Sequence, residues 1–281
     1  MGLRIQNNIE AFNTHRQLSA SAAAGSKAME KLSSGYRINR AADDAAGLGI
    51  SEKMRSQISG MDQAQRNAQD AISLVQTAEG ALSEVHSMLE RVRDLKVQMG
   101  NDTLADTDKE SIGAEVGQIA SEIGDILSKT EFNGKKLLDG SGSGFTFQVG
   151  ANDGDTITLD ASTLSASGAS GLGDITALAG AAASDVASAL GAMSLEDISA
   201  SIEGVSKQRG EFGAIQNRLE HRLSNLATYQ ENLTSAESRI RDVDMASEMT
   251  KFTKLNILQQ AGTSMLAQAN QAPQTVLSLL R

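Results

Sequence analysis

Residues 61–99 read MDQAQRNAQDAISLVQTAEGALSEVHSMLERVRDLKVQM, and this stretch decides the fold. Met61, Ala64, Ala68, Ala71, Val75, Ala78, Leu82, Val85, Leu89 and Val92 recur at alternating three- and four-residue steps; Lys96 breaks the pattern and Met99 restores it. A seam sustained over so many heptads means lateral packing against another helix. At 1.5 Å per residue the stretch spans about 58 Å, so a rod is expected here. Small residues early in the seam permit close approach, and Leu and Val take over later.

Downstream, Gly100 and Asn101 end this helix, and Thr107 with Glu110 has capping-box spacing for the next. Ile112, Val116, Ile119, Ile123 and Ile126 form its apolar face. After Asn133-Gly134 the period falls to two. Phe145, Phe147 and Val149 alternate with polar residues, as do Ile157 and Leu159, and Asn152-Asp153-Gly154 between them reads as a β-hairpin turn. Residues 161–193 are rich in Ala, Ser and Gly with little periodicity, and read as a short surface excursion or small subdomain. Helix then returns with Ile198, Val205, Phe212, Leu219, Leu226, Leu233 and Ile240 at every seventh position. The intervening heptad site is mixed, Ile202, Arg209, Gln216, Leu223, Gln230 and Glu237, so one seam is strictly core and the other half wet.

Both ends of the chain are amphipathic. Leu255, Leu258, Gly262, Met265, Ala269, Ala272, Val276 and Leu279 form a C-terminal stripe; Ile5, Ile9 and Phe12, then Leu18, Ala22, Gly25, Met29 and Leu32, form an N-terminal one. Gly35 suits the left-handed conformation that closes a helix, Tyr36 to Arg40 read as an extended connector, and Asp43 or Asp44 caps the next helix. Burying each large side chain of the C-terminal stripe stabilises by roughly 1.5–3 kcal/mol. An isolated helix of this size is marginal in water, so the ends are expected to order against a partner: each other, and their copies in neighbouring subunits.

Composition agrees with long helices. Proline occurs once, and cysteine and tryptophan are absent, which excludes disulfides, thiolate chemistry and Cys-ligated zinc. A net charge of -10 and an aromatic share of 3% disfavour nucleic-acid binding. Residues 1–40 carry six basic and two acidic groups and residues 241–281 four and three, so the acidity sits between them. The N-terminus lacks the apolar core of a Sec signal peptide, and no stretch is long and apolar enough to span a membrane. Gln6 stands where a myristoylation signal after Gly2 requires Ser or Thr.

No motif points to catalysis, a metal or a cofactor. His15, His86 and His221 are isolated, with no HExxH zinc motif. Asn152-Asp153-Gly154-Asp155 lacks the ligand alternation and final Glu of a calcium loop, and Gly47-Leu48-Gly49 lacks the third glycine of a dinucleotide loop. The sequons at Asn101 and Asn232 read as incidental. The chain is therefore expected to be non-enzymatic.

Lys31-Leu32-Ser33-Ser34-Gly35-Tyr36-Arg37-Ile38-Asn39, followed by Ala42-Asp43-Asp44-Ala45-Ala46-Gly47, resembles the N-terminal signature of the bacterial flagellins. The runs Ile257 to Gln271 and Pro273 to Leu280 resemble their C-terminal signature, and Thr130-Glu131-Phe132-Asn133-Gly134 fits as well. The resemblance covers roughly residues 1–140 and 195–281. It implies an extracellular structural subunit of the flagellar filament, serving swimming motility, exported through the flagellar type III apparatus without a cleaved Sec signal. A flagellin-like hook–filament junction protein is the alternative. The implied fold is mainly α, a long antiparallel helical bundle or coiled coil with a small β-hairpin, whose terminal helices pair as a separate coiled-coil domain.

The corresponding organisation places an inner coiled coil at 1–40 and 241–281, an outer-tube rod with hairpin at 41–160 returning at 195–240, and a variable excursion at 161–194. Assembly then falls to Ile5, Ile9, Phe12, Leu18, Met29, Leu32, Leu255, Leu258, Met265, Val276 and Leu279. Implied partners are other subunits, an export chaperone, the type III apparatus, and the filament cap and hook-junction proteins. Glu90 to Gln98 resembles the segment recognised by the host toll-like receptor for flagellin, with Arg91, Leu95 and Glu115 as contacts. Val276, Leu277, Leu279 and Leu280 fall where the family's export chaperone and inflammasome sensors engage.

Overall fold

The computed structural model describes residues 8–140, 144–160 and 172–279, with side chains through residue 271. Its elements, in chain order, are α1 (Ile9–Ser34), α2 (Ala45–Met99), α3 (Asp106–Lys129), a hairpin of β1 (Glu131–Phe132) and β2 (Lys135–Lys136), a second of β3 (Phe145–Gln148) and β4 (Thr156–Leu159), α4 (Leu172–Thr176), α5 (Ala183–Ala192), α6 (Leu195–Arg241) and α7 (Met245–Leu279). They form two compact units: Gln57–Gln230, and Met1–Ser56 with Glu231–Arg281.

In the unit Gln57–Gln230 the α2 seam is buried at every expected position from Met61 to Val92 and again at Met99. Lys96 is off the pattern because it has a different partner: its ammonium donates to the carbonyls of Leu190 (2.6 Å) and Gly191 (3.0 Å), closing the C-terminal end of α5. Leu74 and Leu95 are buried beside the seam, so the apolar stripe is wider than a two-helix coiled coil needs and α2 is covered on two flanks. On α6 the strict seventh-residue row is buried from Ile198 through Leu226. The mixed row makes polar bonds instead: Arg209 pairs with Glu79 (3.5 Å), and Gln65 donates to the side chain of Gln230 (2.7 Å). Residue numbers rise on one helix as they fall on the other, so α2 and α6 run antiparallel.

Three features of this unit depart from the sequence reading. Helix α3 starts before Thr107, and its cap is one-sided: the Asp108 carboxylate accepts the Ala105 amide (3.2 Å), and Ala105 has no side-chain acceptor to return the bond. Asn133 (φ 52°) and Gly134 (φ 74°) are both left-handed, the geometry of a two-residue type I′ turn, and they close the additional hairpin β1–β2. Residues 172–193 include two helices that send Leu172, Ile175, Val186 and Leu190 into the core, joined by Leu178 from the turn between them. Helix α5 lies so close to α3 that a Cβ at Gly113 would stand 2.5 Å from the Ala183 carbonyl. The rest of the predicted excursion, 161–171, lies outside the described residues.

The hairpin read around Asn152 is present. Phe145 pairs with Leu159 and Phe147 with Ile157, putting the apolar members of both strands on one face. Arg222 on α6 holds its loop, donating to the Val149 carbonyl (3.1 Å) and to Asp155 (3.0 Å). Helix α6 begins with a reciprocal cap: Ser194 Oγ accepts the Asp197 amide (3.1 Å), and Asp197 accepts the Ser194 amide (3.0 Å) and hydroxyl (2.7 Å). Those bonds from Ser194, its hydroxyl first, hold the Asp197 carboxyl below its ordinary pKa.

In the unit formed by the two chain ends, α1 and α7 lie antiparallel. Asn8 caps α1 by accepting the Ala11 amide (3.1 Å) and donates to the Ala269 carbonyl (2.7 Å), while at the other end Val243 donates to the Gly35 carbonyl (3.0 Å). Gly35 closes α1 in the left-handed conformation (φ 76°), its amide reaching the Lys31 carbonyl (2.9 Å). Asp44 accepts the Gly47 amide (2.9 Å) at the start of α2. Asp43 instead ties the connector, accepting the amides of Arg40 (3.1 Å) and Asn39 (3.3 Å), and the Arg40 bond is the main reason its pKa lies below the ordinary carboxylate value.

Candidate assembly surface

The seam between α1 and α7 is built from small and half-buried residues. Ser21, Ala28 and Ala269 are buried in it; Leu18, Leu32, Leu255, Gly262 and Leu266 are half-buried. A Cβ at Gly262 would stand 3.3 Å from Leu18 Cδ1, so glycine there lets the two helices approach closely. Glu248 is buried on α7 and pairs with Lys251 (3.3 Å) one turn on.

The large apolar side chains of both helices largely face away from this seam. On α1, Ile9 (56% exposed), Phe12 (68%) and Met29 stand in solvent; on α7, Met245, Met249, Ile257 (61%), Leu258 (44%) and Met265 do so. The predicted assembly residues therefore split. Leu18, Leu32 and Leu255 lie in the seam of the single chain, whereas Ile9, Phe12, Met29, Leu258 and Met265 are left without cover. Ile5 lies outside the described residues, as do Leu280 and the side chains of Val276, Leu277 and Leu279, although α7 continues through Leu279. Met245, Met249 and Ile257 belong to the exposed set without having been singled out. Their i, i+4 spacing from 245 to 249 was the available signal, obscured by the stronger Leu255–Leu258 pattern.

The ends of these helices are tied by a polar node. Tyr36 bridges Asp242, the Arg37 amide donates to the Arg241 carbonyl (2.6 Å), and the Arg37 guanidinium donates to the Ile240 carbonyl (2.6 Å). The Arg241 guanidinium lies over the Tyr36 ring at 4.6 Å and pairs with Glu52 (3.2 Å). Ile38, beside it, is the buried apolar residue of the connector. Sequence alone did not join Tyr36 to Arg241, because two hundred residues separate them and neither belongs to a periodic face.

Of the three residues linked to host-receptor contact, two lie together on the surface. Arg91 donates Nε to Glu115 (2.9 Å), and its second nitrogen reaches the same oxygen (2.8 Å), with both side chains about half exposed. Leu95, the third, is 2% exposed and packed beside the α2 seam. Among the described residues no group of acidic, His or Cys side chains could hold a metal ion, and no helix is long and apolar enough to cross a membrane.

Comparison with known proteins places these features. The pattern of the bacterial flagellin N-terminal helical region matches residues 5–143, and that of the bacterial flagellin C-terminal helical region matches residues 195–280. A flagellin of Halalkalibacterium halodurans is 53% identical over 279 residues, covering 99% of both proteins. A flagellin of Bacillus subtilis is 50% identical over 308 aligned positions, covering 99% of this chain and 100% of that one. A solved structure of a putative flagellar hook-associated protein from Vibrio parahaemolyticus covers 71% of this chain and 100% of its own, with a TM-score of 0.59 and 17% identity, a likeness of fold alone.

Proposed function

Because this chain belongs to the bacterial flagellin family and is a flagellar filament subunit, we infer that it polymerises by burying the uncovered apolar faces of α1 and α7 against further copies of itself. The observation that carries this reading is the inversion at the terminal pair, where Phe12, Ile9, Leu258 and Met265 are exposed while the fully buried seam positions are Ser21, Ala28 and Ala269. Apolar surface of that kind marks an interaction site. Each large side chain removed from water on assembly contributes roughly 1.5–3 kcal/mol, and every subunit brings several. The terminal helices accordingly gain most of their order on assembly, as coupled folding and binding.

In this reading residues 1–40 and 241–281 form the inner coiled coil, 41–160 and 195–240 the outer-tube rod, and 161–194 an excursion whose helices α4 and α5 are anchored in the core. The role is structural rather than enzymatic. Export proceeds through the type III apparatus, and a chain free of cysteine suits passage through a narrow channel unlinked. An export chaperone and the inflammasome sensors engage Val276, Leu277, Leu279 and Leu280; the filament cap and hook-junction proteins contact the ends of the polymer. A toll-like receptor meets Arg91, Leu95 and Glu115, of which the Arg91–Glu115 pair is the exposed part. The junction-protein alternative is disfavoured, since relatives at 50–53% identity along the whole chain are named flagellin.

Leu258→Asp tests the assembly reading. Purified variant brought to polymerising conditions is expected to form no tubular filaments by electron microscopy, while its helical circular dichroism and melting match those of the free wild-type subunit. Normal filament formation by the variant refutes the reading.

A further inference from the structure

Four of the nine methionines among the described residues are half exposed, and all four lie on the terminal pair: Met29 (50%), Met245 (49%), Met249 (50%) and Met265 (57%). In the other unit Met61 and Met99 are buried at 1% and 9%, and Met88 and Met193 are half-buried; Met54, at the edge of the terminal unit on α2, is half-buried too. The chain has no cysteine and no tryptophan, so its thioethers are the groups that an oxidant meets first. Exposure thus directs oxidation to the helices on which assembly was placed above.

We propose that Met29, Met245, Met249 and Met265 are oxidation sites that switch off polymerisation when a hydroperoxide converts them to sulfoxides. This rests on the assembly reading. A sulfur lone pair attacks the peroxide oxygen, the S–O bond forms as the O–O bond breaks, and the departing oxygen takes up the proton and leaves as water or alcohol; sulfur loses two electrons and the peroxide gains them. The product places a polar, acceptor-bearing oxygen on a face that must become dry. Burying it without a donor opposes assembly, and a flexible apolar side chain that adapts to its neighbour is lost as well. The folded body between Gln57 and Gln230 keeps its buried methionines reduced, so the oxidised subunit stays folded and is restored by reduction.

Hydrogen peroxide treatment of the free full-length subunit, followed by peptide mass mapping and a polymerisation assay, tests this. One added oxygen is expected at each of the four positions before Met61 or Met99 reacts, with loss of filaments and their return after treatment with methionine sulfoxide reductases of both epimer specificities. For a chain carrying Met29→Leu, Met245→Leu, Met249→Leu and Met265→Leu, its own measurable untreated polymerisation rate is the reference, and peroxide is expected to leave that rate unchanged. The proposal is overturned if oxidised wild type polymerises at the untreated rate, if reductase treatment fails to restore it, or if the four-leucine chain loses polymerisation on treatment as wild type does. Leu258→Asp separates the two ideas. Filaments from that variant remove the assembly reading and this proposal with it, whereas a blocked variant beside an unaffected oxidised wild type removes this proposal alone.

Discussion

Between Gln57 and Gln230 most large apolar side chains are inside, with Phe212, Leu82, Leu89 and Ile123 fully buried and Val97 and Leu195 the exceptions among the aliphatic ones. In the terminal pair the order is inverted: Ser21, Ala28 and Ala269 occupy the seam, while Phe12, Ile257 and Met265 face water. Both regions are amphipathic helices with heptad-like spacing. They differ in how many sides of each helix find cover. Helix α2 is enclosed on two flanks within its own unit, whereas α1 and α7 offer each other one narrow stripe. The first region is complete as a folded unit, and the second leaves the kind of surface that a neighbour covers.

The contrast breaks most sharply under core truncation. Phe212→Ala leaves a cavity beneath α6 and is expected to cost about 3–5 kcal/mol in the denaturant unfolding of the free subunit. Leu18→Ala, against Gly262 in the terminal seam, is expected to leave that unfolding transition nearly unchanged and to act on filament stability instead. Equal losses in the free subunit for both variants contradict the division drawn here.

A smaller effect is expected at the node. Arg241→Lys keeps a positive charge near Glu52 but loses the planar stack on Tyr36, a loss of about 0.5–1 kcal/mol. Hydrogen exchange should register it at the connector amides of Arg37 and Val243, with the amides of α3 unaffected. Uniform loss of protection across the chain runs against a local role.

The smallest effect is expected from acid. Asp43 ties the terminal unit's connector and Asp197 caps α6, and hydrogen bonds depress the pKa of both below 3.8. A depressed folded pKa contributes stability that is fully present above the unfolded value and lost as pH falls through the folded one. Asp197→Asn is therefore expected to flatten the acid end, below about pH 4, of the melting profile of the body. Asp43→Asn should act in the same range on exchange at Asn39 and Arg40. An Asp197→Asn chain with an unaltered acid profile removes the capping contribution.

The long seams were legible because burial of α2 and α6 repeats strictly: a heptad row from Met61 to Val92, and one from Ile198 to Leu226, can face only one way. Gly35 and the Asn152 turn were legible for a local reason, since each requires a backbone conformation that few residues adopt. Other features depended on distant partners. Lys96 reads as a defect in the seam until Leu190 and Gly191 supply carbonyls. Leu95 lies off the heptad seam, and its burial depends on the second flank that covers α2. Leu172 with Ile175, and Val186 with Leu190, stand at helical spacing but as isolated pairs within an Ala/Ser/Gly background, too short to read as a stripe, yet all are buried.

The terminal stripes mark the boundary between the two kinds of knowledge. Periodicity alone established that both ends are amphipathic helices, and the paired signatures established their family, because helix formation and a signature are properties of local sequence. Which members of each stripe meet the other helix was decided by tertiary packing. Close approach favours the small residues, so Gly262 and Ala269 take the seam and Leu258 and Met265 remain outside it. Hydrophobicity ranks side chains by their preference for burial, but only the distance between two backbones determines which of them there is room to bury.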